Sequence, residues 1–239
     1  MSYQMIFKRY ELKYLLDAQQ KAAVLRAMEP YMRLDEYGRT TIRNIYFDTP
    51  NFRLIRRSLE RPAYKEKLRL RSYAQASDEK PVFVELKKKY ESVVYKRRIT
   101  CPQRAAMDCL CSGKPLPNPS QIAQEINYFC SYYQGLTPAV FLSYEREAFY
   151  TLAQGDLRVT FDENILSRRE GFSFADGIYG TQLLDKGLSL MEVKTSGSIP
   201  LWLARCFSEN GIYKTSFSKY GAAYQKTIHH EIWGGALRA

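Results

Sequence analysis

Five segments of this chain alternate charged with apolar residues at a period of two, and that pattern constrains the fold more than any other feature. Successive side chains of a β-strand point to opposite faces, so such a segment has one charged and one apolar face. In Arg9-Tyr10-Glu11-Leu12-Lys13 the three charges share one face, while Tyr10, Leu12 and Tyr14 share the other. Lys67-Leu68-Arg69-Leu70-Arg71, Val84-Glu85-Leu86-Lys87-Lys88-Lys89 and Leu190-Met191-Glu192-Val193-Lys194 divide the same way, and Tyr95-Lys96-Arg97-Arg98-Ile99 does so less cleanly.

Eight strands are expected: residues 7–15, 40–47, 64–73, 81–89, 93–100, 140–150, 156–162 and 188–195. Helices are expected where capping signals stand. Asp17 and Gln20 have the form of a capping box before the run to Met28. Residues 100–111, 120–134 and 198–210 each end at or before a glycine, and a last helix follows Ser218. No internal repeat is present, and the proline-rich stretch from Gly113 to Ser120 reads as a loop between helices. One domain covering residues 1–239 is the economical reading, of class α+β: an antiparallel β-barrel of about eight strands with flanking helices.

Extending the alternation to single charges puts thirteen cations on the charged faces: Arg9, Lys13, Arg43, Lys67, Arg69, Arg71, Lys87, Lys89, Lys96, Arg98, Arg146, Arg158 and Lys194. Four carboxylates join them: Glu11, Glu85, Asp162 and Glu192. The excess accounts for most of the net charge of +11. For one strand, a solvated outer face is the simpler explanation. Across several strands the opposite faces are apolar enough to pack beneath helices, and in a closed sheet the charges then point inward. Inward cations repel one another unless a polyanion joins them. Arginine forks and mobile lysines suit the oxygens of a phosphate chain, and a few carboxylates suit a hard divalent cation shared with phosphate oxygens.

Other features narrow the class. No apolar run approaches the length of a membrane span, and Lys8, Arg9, Glu11 and Lys13 occupy the place of a signal peptide's apolar segment, so a cytoplasmic location is expected. Cys101, Cys109, Cys111, Cys130 and Cys206 lack metal-binding spacing and read as reduced thiols. His229 and His230 read as solvated tail residues. The 19 Tyr and 12 Phe fall mainly on faces opposite the charges, where core packing explains them, so nucleic acid is not an expected partner.

Eight blocks in order resemble a known family. They are residues 9–14 (RYELKY), 45–49 (IYFDT), 67–71 (KLRLR), 82–87 (VFVELK), 143–146 (SYER), 158–162 (RVTFD), 191–194 (MEVK) and 217–220 (FSKY). Together they are similar to the VTC domain, the polyphosphate polymerase domain of vacuolar transporter chaperones within the triphosphate tunnel metalloenzymes, over nearly the whole chain. The resemblance implies a β-tunnel that binds ATP and Mn²⁺ or Mg²⁺ and moves the terminal phosphate of ATP onto polyphosphate. It implies phosphate contacts from Lys13, Arg69, Arg71, Lys87, Lys96, Arg146 and Lys219, a hydroxyl contact from Ser218, and metal binding by Glu192, with Glu11, Glu85 or Asp162 assisting. Arg9, Arg43, Arg98, Arg158 and Lys194 are further expected phosphate contacts.

Hydrolytic relatives begin with Glu-x-Glu-x-Lys, whereas Arg9 stands at the first Glu here. That exchange weakens a second metal site and favours the polymerase branch. Eukaryotic family members carry added membrane regions, so coupling to export is expected to need a separate membrane partner. The rival readings are a tunnel triphosphatase or other triphosphate-processing enzyme, and a non-catalytic polyphosphate-binding module.

Overall fold

The computed structural model describes residues 10–91, 93–117 and 119–228. Arg9, His229 and His230 therefore lie outside the described residues. These residues form eleven strands, six α-helices and a closing π turn. The long strands are β1 (Tyr10–Leu16), β3 (Thr40–Asp48), β4 (Tyr64–Ser72), β5 (Pro81–Tyr90), β6 (Val93–Pro102), β7 (Thr137–Thr151), β8 (Arg158–Arg168) and β10 (Ser189–Thr195). These are the eight expected. The other three, β2 (Met32–Leu34), β9 (Thr181–Gln182) and β11 (Lys214–Thr215), are too short to show a period of two.

Helix α1 (Ala18–Met28) starts at the expected capping box, with Asp17 Oδ1 accepting from Gln20 N at 2.8 Å and Gln20 Oε1 accepting from Asp17 N at 3.2 Å. Helix α3 (Gln103–Ser112) ends at Gly113 in the left-handed conformation, at φ 70°. Ser120 caps α4 (Gln121–Tyr132), Pro200 precedes α5 (Leu201–Glu209), and Ser218 caps α6 (Lys219–Ala223). Helix α2 (Arg53–Leu59) carries no side-chain cap at its own start, where Phe52 is left-handed at φ 57°.

The described residues divide into two compact units, and the chain crosses between them inside β3, β7 and β8 and again after residues 183 and 217. The first comprises residues 10–40, 144–165 and 184–217; the second comprises residues 41–143, 166–183 and 218–228. In the first, the hydrogen-bonded order is β11-β1-β10-β8-β7, with β2 beside β7. In the second it is β7-β3-β4-β5-β6, with β9 beside β8. The pairings with a described register are all antiparallel. The α+β class, a mostly antiparallel sheet with flanking helices, is as expected. Among the described residues the hydrogen-bonded strand order ends at β11 and β6, which is compatible with the expected tunnel fold.

Helices α1 and α5 of the first unit, and α2, α3 and α4 of the second, pack on the apolar sheet face of their unit. In the first, Tyr14, Leu16, Val159, Phe161, Met191 and Val193 meet Val24 and Met28 of α1 and Leu203, Cys206 and Phe207 of α5. In the second, Ile45, Phe47, Leu68, Leu70, Val84 and Leu86 meet Leu54 of α2, Ala106 and Leu110 of α3, and Ile126 and Phe129 of α4. Each such aliphatic or aromatic side chain contributes about 1.5–3 kcal/mol on full burial. The period of two leaves the charged residues on the opposite face of each unit's sheet. The five cysteines carry free thiols, and burial pushes Cys101 up to about 11 and Cys130 up to about 12.

Candidate functional site

The second unit's charged face is ordered by strand register. Across β4, β5 and β6, Arg69 lies opposite Glu85 and Glu85 opposite Arg98. The adjoining row is Lys67, Lys87 and Lys96, three like charges directly opposite one another. Like charges so placed are destabilising, and a sheet keeps them only where something answers their field.

Part of that answer is Glu85, whose side chain is 1% exposed. Its Oε2 accepts from Arg69 Nε at 2.9 Å, and its Oε1 from Arg98 Nε at 2.7 Å. Lys96 Nζ lies 2.8 Å from Oε1, and Arg71 Nε lies 3.8 Å from Oε2. Burial opposes the charge on Glu85, but Arg69, Arg71 and Lys96 outweigh it and hold the carboxyl well below the usual range. Burial also pulls the Lys96 ammonium below its ordinary value, against the pull of Glu85. One carboxylate thus gathers four cations, a local charge of +3.

Neutral residues aim these cations. Asn44, fully buried, accepts from Arg71 Nε at 3.0 Å, and Tyr46 Oη accepts from Arg69 Nη1 at 2.8 Å. Tyr73 Oη accepts from Arg98 Nη2 at 3.0 Å, and the Arg98 guanidinium lies 4.4 Å from the centre of the Phe83 ring. Burial would raise the Tyr73 phenol, but Arg71 and Arg98 outweigh it and bring it down. Ser218 Oγ accepts from Lys67 Nζ at 2.9 Å, and Lys219 follows it as the first residue of α6. Asn44, Tyr46 and Tyr73 carry no charge, so a search for alternating charges passes over them. Lys65 shares the charged face through its pairing with Lys89.

Arg43 is a correction. Asn44 pairs with Arg71 and Tyr46 with Arg69, so the one-residue offset puts Arg43 on the opposite face, with Ile45 and Phe47. Its Nε is buried without a hydrogen-bond partner among the described residues, and burial lowers its pKa.

The first unit's charged face brings together Glu11, Lys13, Arg146, Arg158, Asp162, Glu192 and Lys194. Glu11 lies opposite Lys194, Lys13 opposite Glu192, and Lys194 opposite Arg158. Asp162, fully buried, grips Arg146 with both oxygens, at 2.5 Å to Nε and 2.6 Å to Nη2. Burial acts against the Arg146 charge, yet Tyr144, Asp162 and Glu192 hold its pKa well above the ordinary value. The Glu192 contacts are longer: 3.5 Å to Lys13, 3.3 Å to Arg146 and 3.2 Å to Lys194. Glu11 lies 3.4 Å from Lys13 with its side chain 26% exposed.

These donors bear on a divalent cation. Among the described residues no three of His, Cys, Asp or Glu gather into a group that would hold a metal by themselves. Mg²⁺ and Mn²⁺ at a phosphate site need only one or two carboxylates, the rest of the shell coming from phosphate and water. Glu192, with its looser ion pairs, and the partly exposed Glu11 fit that requirement. Asp162 is engaged bidentately with Arg146, and Glu85 sits among four cations.

No helix among the described residues is long and apolar enough to cross a membrane. The family model of the VTC domain matches residues 8–228. A crystal structure of a "putative adenylate cyclase" from Bacillus halodurans is 17% identical, with a TM-score of 0.52 over 92% of this chain and 97% of that one. A second, from Vibrio parahaemolyticus and bearing the same description, is 12% identical, with a TM-score of 0.49 over 89% and 97%. At such identity the likeness to the first concerns the fold alone. A comparison with curated proteins found no match.

Proposed function

The chain belongs to the VTC domain family, and from that premise we propose that it is a metal-dependent polyphosphate polymerase, transferring the terminal phosphate of ATP onto a growing polyphosphate chain. The supporting observation is the lysine row of the second unit, Lys67, Lys87 and Lys96, beside the Arg69, Glu85, Arg98 row. Three ammoniums side by side, next to guanidiniums fixed by a buried carboxylate, match a linear polyanion better than a compact one.

In this reading the second unit supplies phosphate contacts from Arg69, Arg71, Lys87, Lys96, Arg98, Ser218 and Lys219. On the first unit, Lys13, Arg146, Arg158 and Lys194 would contact phosphate, and Glu192 with Glu11 would hold Mn²⁺ or Mg²⁺. The bound ion would neutralise phosphate oxygens. Phosphoryl transfer needs positioning and charge neutralisation rather than a protein nucleophile. The bond from the γ-phosphorus to ADP breaks as the bond to the acceptor's terminal oxygen forms, and the cations hold both partners in line.

The test is product analysis. Purified protein incubated with ATP and Mn²⁺ or Mg²⁺ should yield ADP and polyphosphate. Free phosphate as the main product would make it a triphosphatase, and cyclic nucleotide with pyrophosphate would make it a cyclase. Binding of polyphosphate with no turnover would leave a binding module.

A further inference from the structure

Helix α6 has five residues, too few to hold its own geometry, so its position depends on what it is tied to. Its cap, Ser218, accepts from Gly221 N at 3.1 Å and from Lys67 Nζ at 2.9 Å. Two residues after the cap stands Tyr220, which is 2% exposed. Its hydroxyl donates to Asp48 Oδ2 at 2.9 Å, and its ring stacks on Tyr46 at 4.8 Å between centres. Tyr46 is the residue that accepts from Arg69.

Asp48 is a fixed anchor. It is fully buried at the end of β3 and accepts from Thr49 N at 2.8 Å, Leu54 N at 2.9 Å and Ile55 N at 3.0 Å as well as from Tyr220. No cation pairs with it among the described residues, and its burial raises its pKa despite those four donors. A buried carboxylate in that setting is costly to leave short of a donor, so the Tyr220 hydroxyl is held firmly. The fit around α6 is close as well: a Cβ on Gly221 would lie 3.1 Å from Leu59 Cδ2 at the end of α2.

We infer that Tyr220 is a positioning residue: its bond to Asp48 fixes Ser218 and Lys219 for contact with substrate phosphates. The inference rests on the phosphate-chain reading above and adds to it the element that sets the geometry of the Ser218 and Lys219 contacts. Tyr220 itself, buried on Asp48 and Tyr46, touches no substrate.

The experiment is a double-mutant cycle on tripolyphosphate binding by calorimetry, without divalent metal, using wild type, Tyr220→Phe, Lys219→Ala and the double variant. Tyr220→Phe keeps the ring and its stacking on Tyr46 and removes only the hydroxyl. Each single change should weaken binding about tenfold, roughly 1.4 kcal/mol. The double variant should fall well short of the roughly hundredfold additive loss, because Tyr220 acts through Lys219 as well as Ser218 and residues acting as one unit are not additive. A purely structural role would lower the melting temperature and leave affinity intact. Wild-type affinity in Tyr220→Phe, or an additive loss of about a hundredfold in the double variant, overturns the inference while leaving the phosphate-chain reading standing. Absence of tripolyphosphate binding by the wild type overturns both. Should Tyr220→Phe fail to fold, the same cycle with Asp48→Asn, which keeps the side-chain volume, decides with the same outcomes.

Discussion

Replacing Glu85 by Gln separates two roles that the same carboxylate could play. The sequence pattern places Glu85 with Glu11, Asp162 and Glu192 as a candidate metal ligand, whereas the structure surrounds it with Arg69, Arg71, Lys96 and Arg98. If its work is to hold those four cations, its loss leaves a charge of about +4 around a neutral side chain that is 1% exposed in the wild type. Breaking a buried ion pair from one side costs about 3–5 kcal/mol. Glutamine keeps the volume and one acceptor oxygen, which points to the lower end. In a chain of this size each kcal/mol moves the melting temperature by about 2–4 °C, so Glu85→Gln should melt about 6–12 °C lower, in EDTA and without any divalent ion. Saturating tripolyphosphate, which adds about 2.7 kcal/mol at a hundredfold excess over Kd, should recover more of that loss in the variant than it adds to the wild type, because the cations have lost their own counter-charge. Circular-dichroism melts of both proteins, with and without tripolyphosphate and with monophosphate as control, give all the terms. A metal ligand, by contrast, would leave the metal-free melt unchanged. A metal-free midpoint within about 2 °C of wild type, less than 1 kcal/mol, refutes the counter-charge argument.

Arg43→Ala should leave tripolyphosphate affinity unchanged, since the register puts Arg43 on the face opposite Arg69 and Arg71; calorimetry checks it, and a loss comparable to that of Arg71→Ala would mean the register is wrong. Stability should fall in acid partly through Glu163. Burial opposes its charge, but bonds from Lys21, Ser189 and Arg39 bring it down to about 2. With the folded value below the unfolded one, its contribution is complete above the ordinary carboxylate range, about 4.3, and is lost as the pH falls toward 2. Urea unfolding between pH 6 and pH 2 should show a shallower decline for Glu163→Gln than for wild type.

Much of the fold can be read from short-range signals, and its omissions have physical causes. Asp17 with Gln20, Ser120 and Ser218 announce α1, α4 and α6 because each cap and the helix it starts are neighbours in sequence. Helix α2 has no such sign. Its first N–H, that of Arg53, is accepted by Thr49 Oγ1, and the next two by Asp48, several residues back at the end of β3. The cations of β4 and β5 are legible because charge alternates with Leu and Val along those strands, and those of β6 less cleanly because Arg97 interrupts the alternation. On β3 the rule fails, since the residues that meet Arg69 and Arg71 are Tyr46 and Asn44, while the strand's one arginine points the other way.

Alternation along a single strand says which residues share a face but not what stands opposite them. Seen strand by strand, the cations of the second unit form a self-repelling set that only a ligand would relieve. Register changes that conclusion. Glu85 stands between Arg69 and Arg98 and takes Lys96 as well, so one row is partly neutralised before any ligand arrives. The adjoining row of Lys67, Lys87 and Lys96 has no carboxylate within it. A polyanion therefore gains most along the lysine row, while the arginines beside it are already fixed in direction by Glu85, Asn44 and Tyr46. Fixed donors lose less freedom on binding than mobile ones, so the arginines serve geometry and the lysines serve charge.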